Sequence, residues 1–190
     1  MIVSRPRVGR DHLAFPAPTS GIQRVDMMKI LGVTLTYTLS FNTHIDIVLR
    51  QAAQSLYALR VLRSHGLTGE ALWDVTRATT LSKMLYASPA WWGYVDMGYR
   101  QRLQNFIFKL QRLGFLPNNT PSFEEMCGSA DDVLFGSMLT NEYHVLAQLL
   151  PPVKETPYHL RPRAHNRSLP ATDNIMRKNF VMRMLYKDSF

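Results

Sequence analysis

Between Ser40 and Gly66 apolar residues recur at three- and four-residue intervals, at Ile45, Val48, Ala52, Leu56 and Leu59. That spacing draws one apolar stripe along an α-helix and fits no strand. A helix of this length is stable only if other elements cover its stripe. The chain must therefore supply them, and it does so with more helical patterns. One is expected from Gly69 to about Ala87, opened by Thr68 as N-cap, with Leu72, Val75, Thr79, Ser82 and Leu85 on its inner face. Another runs from Met97 to Leu113, with Leu103, Phe106, Leu110 and Leu113 on one side and Gly114 as its stop. Pro89-Ala90-Trp91-Trp92-Gly93 makes a bulky corner between the two. Indoles at such a corner can pack as core or stack on bases, and the apolar surroundings favour core.

Beyond residue 120 the pattern shortens. Ser122-x-x-Glu125 is a capping-box signature before a short helix, and Ser129-x-x-Asp132 repeats it before Val133 to Leu139. A last core segment is expected from Glu142 to Leu150, stopped by Pro151-Pro152. Residues 151–172 hold five prolines with Arg161, Arg163 and Arg167 between them, and read as an extended basic linker. A terminal helix from Asp173 carries Ile175, Met176, Phe180, Met184 and Leu185.

Before the first helix, residues 5–21 are broken by prolines and glycines and read as a loop. Ile22 to Val25 alternates as a half-buried strand does. Lys29 to Tyr37 is rich in β-branched and apolar residues and reads as another strand, with Gly32 marking a bulge or a close backbone approach. The fold class is thus mainly α, with a short N-terminal β-hairpin ahead of a helical bundle, a basic linker and a terminal helix.

Chemistry-bearing motifs are few. Asp131-Asp132 are adjacent aspartates, such as polymerases use to hold two divalent metals, but their flanks are helical and Ser129 stands where an aromatic is required. Acids in a first helical turn fit capping better. His44, His65 and His144 stand alone rather than in a metal-binding spacing, and Cys127 is the single cysteine, which rules out an intrachain disulfide. No phosphate loop or nucleophile elbow is present.

The charge is more informative. The formal net charge is +8, which favours polyanions, nucleic acid foremost. Arg50, Arg60 and Arg63 lie largely off the first helix's apolar stripe, and Arg100, Arg102, Lys109 and Arg112 decorate the Met97 helix. Together with Arg161, Arg163 and Arg167 they are candidate phosphate contacts. No apolar run approaches the ~20 residues that span a bilayer, so no membrane partner is expected.

One ordered series of motifs has a familiar look. Lys29-Ile30-Leu31-Gly32-Val33-Thr34-Leu35, then Leu39-Ser40-Phe41 and His44-Ile45, resembles the end of the palm domain in reverse transcriptases of non-LTR retrotransposons, the Jockey-like group in particular. The resemblance continues through Leu85 to Trp91, the Leu103-Gln104 helix, His144 to Pro152, and Arg177 to Asp188. It implies a palm remnant over residues 1–37 with a primer-grip-like hairpin at Lys29, Leu31 and Gly32, a thumb-like helical domain over 38–150, the linker over 151–172 and a terminal helix over 173–190. In that family the catalytic aspartates precede the hairpin. The resemblance therefore implies a chain that contacts the template–primer duplex, an RNA–DNA hybrid, in an intracellular and nuclear setting. It implies no cofactor here, although the intact enzyme uses Mg²⁺, and no polymerase activity from this chain alone. A non-enzymatic nucleic-acid-binding module, or a helical protein-interaction module, derived from such an element is the alternative. Without a palm sheet beside it, the segment 1–37 is expected to be poorly anchored, because an isolated hairpin is marginal in water.

Overall fold

The computed structural model describes residues 21–154 and 165–187. Its architecture is mainly helical with a two-stranded antiparallel hairpin at the front. The expected loop before residue 21 lies almost wholly outside the described residues, as do Arg161 and Arg163.

The hairpin pairs β1 (Met27–Ile30) with β2 (Val33–Thr36), Ile30 opposite Val33 and Met27 opposite Thr36. The segment read as one strand with a bulge is therefore two strands and a tight turn. Leu31 and Gly32 form the turn, with φ of 45° and 87°. Two successive positive φ values match the twist of a two-residue hairpin and place glycine at its second position. Ile22 to Val25 is not a strand, and it is largely exposed. The two strands differ in burial. Val33 and Thr34 are buried, and β2 packs on the first helix, whereas β1 faces solvent.

Helix α1 (Asn42–Ser64) buries the stripe that its spacing predicts: Ile45, Val48, Ala52, Leu56 and Leu59. His65 is its C-cap, and beyond it Gly66 N–H bonds Arg63 O while Leu67 N–H bonds Leu62 O. This paired closure needs a left-handed residue, and Gly66 supplies φ of 95°.

The next segment departs from the regular helix that was expected. Helix α2 (Gly69–Thr76) continues through a π-helical turn (Arg77–Leu81) into α3 (Ser82–Leu85). The wider turn shifts the inner face, so Leu72, Thr76, Thr80, Leu81 and Met84 are buried. Thr79 and Ser82, expected inside, are exposed. A spacing of four from Leu72 to Met84 is what a π-turn produces, and a 3.6-residue period misses it. Ala87, with φ of 51°, turns the chain into α4 (Ser88–Trp91), with proline in the first turn. The indole N–H of Trp91 donates to Tyr86 O at 2.9 Å, so the fully buried ring has no orphaned donor. Trp91, Trp92 and Phe123 pack ring against ring. Both tryptophans are core, not stacking platforms.

Helix α5 (Met97–Arg112) follows, its N-terminus capped by the Asp96 carboxylate on Tyr99 N–H. Helix α6 (Phe123–Thr140) is one continuous helix of 18 residues, not two short ones. The Ser122–Glu125 capping box opens it. The second box is an accident of composition, because Ser129 and Asp132 sit mid-helix. Phe123 and Cys127 of α6 belong to the main core, while Phe135 and Met138 belong to a second one.

The second core closes with α7 (Phe180–Tyr186) and corrects three expectations. Residues 142–150 are not a core segment: Tyr143, Val145 and Leu149 are exposed, and only Leu146 and Leu150 pack inward. The segment 151–172 is not a free linker where it is described. Val153 bridges Arg167, Lys154 N–H bonds Asn166 O, and Ser168 N–H bonds Pro152 O. His165 is buried edge-on to Phe135, with Nε2 2.9 Å from Leu185 O. The terminal helix is also shorter than expected. Met176–Lys178 is a 3₁₀ turn, Asn179 caps α7, and Ile175 and Met176 stay partly exposed.

Candidate nucleic-acid interface

Helices α1 and α5 lie side by side and run in the same direction. Near their starts Arg102 pairs with Asp46 at 2.8 Å and the Tyr99 hydroxyl donates to Asp46 at 3.2 Å. Near their ends Arg63 donates to Leu113 O at 2.7 Å. The two sequences together carry seven lysines and arginines against a single acid, Asp46. Charge asymmetry of this kind is not needed to hold two helices together, since like charges on adjoining faces repel.

Helical spacing says where the cations go. Arg50, Tyr57 and Arg60 follow Asp46 on one stripe of α1, and Lys109 and Arg112 follow Arg102 along α5. Because Asp46 and Arg102 touch, the two stripes adjoin. Arg50, Arg60, Lys109 and Arg112 are exposed and have no ion pair or hydrogen bond among the described residues. Tyr57, 70% exposed, stands between the arginines of α1. The result is a basic strip with an aromatic in it. The sequence reading missed Tyr57, although its place seven residues after Arg50 and three before Arg60 was the available signal.

The other described candidate cations, Arg63, Arg100, Arg102 and Arg167, have internal work. Arg63 caps the C-terminal carbonyls of α5 and lies 4.5 Å from the Phe115 ring centroid. Arg100 stacks on Trp92 at 4.5 Å, bonds Val95 O and pairs with Glu124 at 3.4 Å. The Asp46 bond to Arg102 holds that guanidinium above its ordinary pKa. Arg167 donates to Pro151 O at 3.2 Å and is far along the chain from the strip. Four of the candidates, Arg50, Arg60, Lys109 and Arg112, are thus left as unpaired charge on two neighbouring helices.

At the hairpin tip, Lys29 and Leu31 are exposed, Leu31 strongly so at 87%. The Tyr86 hydroxyl donates to Leu31 O at 3.1 Å, and a Cβ added to Gly32 would stand 3.3 Å from the Tyr86 ring. Tyr86 therefore holds the turn from below, and Gly32 is where a side chain would collide. Behind the hairpin, His44 is buried, its Nδ1 accepting from Thr34 N–H at 3.5 Å. Its Nε2 has no partner. Burial first, and Lys29 second, push the His44 pKa below its ordinary value.

Asp131 and Asp132 are neither caps nor a metal dyad in their contacts. Asp131 is buried and paired with Arg183 at 2.6 Å, and Asp132 pairs with Lys187. Among the described residues no group of three His, Cys, Asp or Glu side chains is placed to hold a metal ion. Burial pushes the Cys127 thiol up to about 12, which keeps it protonated and unreactive at neutral pH. Comparison with protein families, with curated proteins and with solved structures finds no match.

Proposed function

We propose that this chain binds duplex nucleic acid along the α1–α5 strip, as the primer-grip and thumb portion of a non-LTR retrotransposon reverse transcriptase would bind an RNA–DNA hybrid. The observation that carries the reading is the four unpaired cations on adjoining helix stripes, on two helices whose one acid, Asp46, is paired with Arg102. Cations so arranged follow a phosphate backbone and release its counterions. The hairpin tip, with Lys29, Leu31 and Gly32, would approach the duplex end. Binding of this kind reads backbone and shape rather than sequence. The reading makes this chain a binding element, and by itself it extends no primer.

The test is fluorescence anisotropy with an RNA–DNA hybrid over a salt series. Affinity is expected at about 10⁻⁴ to 10⁻⁶ M near physiological salt, falling steeply as salt rises. Replacing Arg50, Arg60, Lys109 and Arg112 by alanine should flatten the slope by up to about one unit per lost contact. Salt-independent binding, or none at low salt by folded protein, would overturn the reading. A protein-interaction module would then take its place, resting on the exposed Tyr143, Val145 and Leu149.

A further inference from the structure

A lysine or arginine in the last turn of a helix commonly bends back onto the final carbonyls. Those carbonyls lack donors and carry the negative end of the helix dipole. Helix α5 has Lys109 and Arg112 in its last turn, yet both side chains are exposed and make no ion pair or hydrogen bond among the described residues. The carbonyls explain why. Leu113 N–H bonds Lys109 O, Gly114 N–H bonds Gln111 O, and Phe115 N–H bonds Leu110 O, a closure that Gly114 permits with φ of 75°. The carbonyls of Leu113 and Gly114 lie beyond that closure, and donors from two other helices take them. Arg63 of α1 donates to Leu113 O at 2.7 Å, and the indole N–H of Trp73 of α2 donates to Gly114 O at 3.2 Å.

Both donors are themselves held. The Arg63 guanidinium lies 4.5 Å from the centroid of Phe115, a fully buried ring. Trp73 is half-buried on α2, whose Leu72 and Thr76 enter the core beside it. Trp73 is also uncharged, so it satisfies Gly114 O without adding to the positive charge of this end. The acceptors nearest to Lys109 and Arg112 in sequence are therefore already occupied.

We infer that Trp73 and Arg63 are positioning residues of the basic strip: by occupying the carbonyls past the end of α5, they keep Lys109 and above all Arg112 free for an outside anion. The inference rests on the duplex reading of the strip. Trp73 acts through Arg112 and does not touch nucleic acid. Arg63, a candidate phosphate contact by its place in the sequence, takes the same indirect role.

Trp73→Phe tests this in the full chain, because it removes the indole N–H and leaves the net charge unchanged. Gly114 O then lacks its donor, and Arg112 turns back to it. The side-chain Nε–H signal of Arg112, followed by NMR, should become ordered in the variant. In the anisotropy assay with the RNA–DNA hybrid, the salt slope should fall by up to about one unit. A double-mutant cycle identifies the route: Arg112→Ala should lower the slope in the wild-type chain and change it little in the Trp73→Phe background. Arg63→Lys, which keeps a donor of similar reach, should keep the slope. An unchanged slope in Trp73→Phe overturns the inference and leaves the strip reading standing. So does weaker binding at the wild-type slope, the signature of partial unfolding alone, and so do additive effects of Trp73→Phe and Arg112→Ala. No hybrid binding by the folded wild-type chain removes the strip reading, and this inference with it.

Discussion

The two cores of this chain are built on different plans. The first, around Trp91 and Phe123, is made by helices that follow one another closely, and each helix announces its inner face by its own periodicity. The second, around Phe135 and Leu185, gathers the end of α6, the ends of the 151–172 segment and α7. Its contributors are short and far apart in sequence. The first core is held by apolar area and ring packing. The second is small and adds directed polar contacts at its seam. Arg183 reaches from α7 to Asp131 of α6 and to Pro89 O, and Gly93 lies against Lys178 O and the Arg183 side chain. The lesson is that a region with little apolar area relies on specific pairs and tight approaches, and fails when one of them is removed.

The sharpest break should come at the ion pair. Asp131→Ala would leave the largely buried Arg183 guanidinium with Pro89 O but no anion, at a cost of about 3–5 kcal/mol. Hydrogen exchange should show residues 165–187 losing protection while α1 and α5 keep theirs. Equal loss in both regions would mean that the two cores unfold as one. Next is Gly93→Ala. Its Cβ would run into the Lys178 carbonyl oxygen and stand 2.6 Å from Arg183 Nε, so backbone must move. About 2–3 kcal/mol is expected, read by chemical denaturation, again with α7 released first.

That asymmetry also explains what was legible. The stripe of α1, the capping box at Ser122 and the apolar face of α5 lie within single elements, and local spacing reveals them. The second core is not local. Nothing near His165 announces that its ring will meet Phe135 and Leu185 O, and nothing near Asp131 names Arg183 as its partner. The π-turn at Arg77–Leu81 is a third case, because one extra residue per turn shifts a face without changing composition. For the candidate interface, the cations were visible individually. Which of them are free depended on tertiary partners, since Arg63, Arg100 and Arg102 are engaged by groups from other elements or loops.

A third prediction sets the hairpin against both cores. His44 is neutral in the fold, because Thr34 N–H needs its Nδ1 lone pair. Its folded pKa is lowered, so the folded state binds fewer protons than the unfolded chain. The contribution of the neutral ring is complete above the unfolded pKa of about 6.5 and is lost as pH falls below it, by at most about 1.4 kcal/mol per unit. Between pH 7 and 5 the amides of β2 should lose protection before those of α5. His44→Gln should remove the pH dependence. Protection in β2 that is unchanged over this range would show that the hairpin is held by Val33 alone.

The smallest effect tests whether the two cores share α6 as a rigid rod. Its N-terminus is the one place in that helix where local sequence chemistry alone sets the structure. Ser122 accepts from Glu125 N–H, and the Glu125 carboxylate accepts from the Ser122 hydroxyl and, second in effect, from Ser122 N–H, which together hold it below its ordinary pKa. Ser122→Ala removes the two bonds made through the hydroxyl, at a cost of about 1 kcal/mol. The first turn of α6 bears on the first core through Phe123, and Phe135 and Met138 bear on the second three turns later. If the helix transmits the loss, thermal melts should show both regions shifted together by a few degrees. If the first turn merely frays, exchange will quicken at Phe123 and Glu124 while α7 is unaffected. The second outcome is expected, because Phe123 N–H still has Gln104 Oε1 and the helix is anchored further along by Cys127 and Asp131.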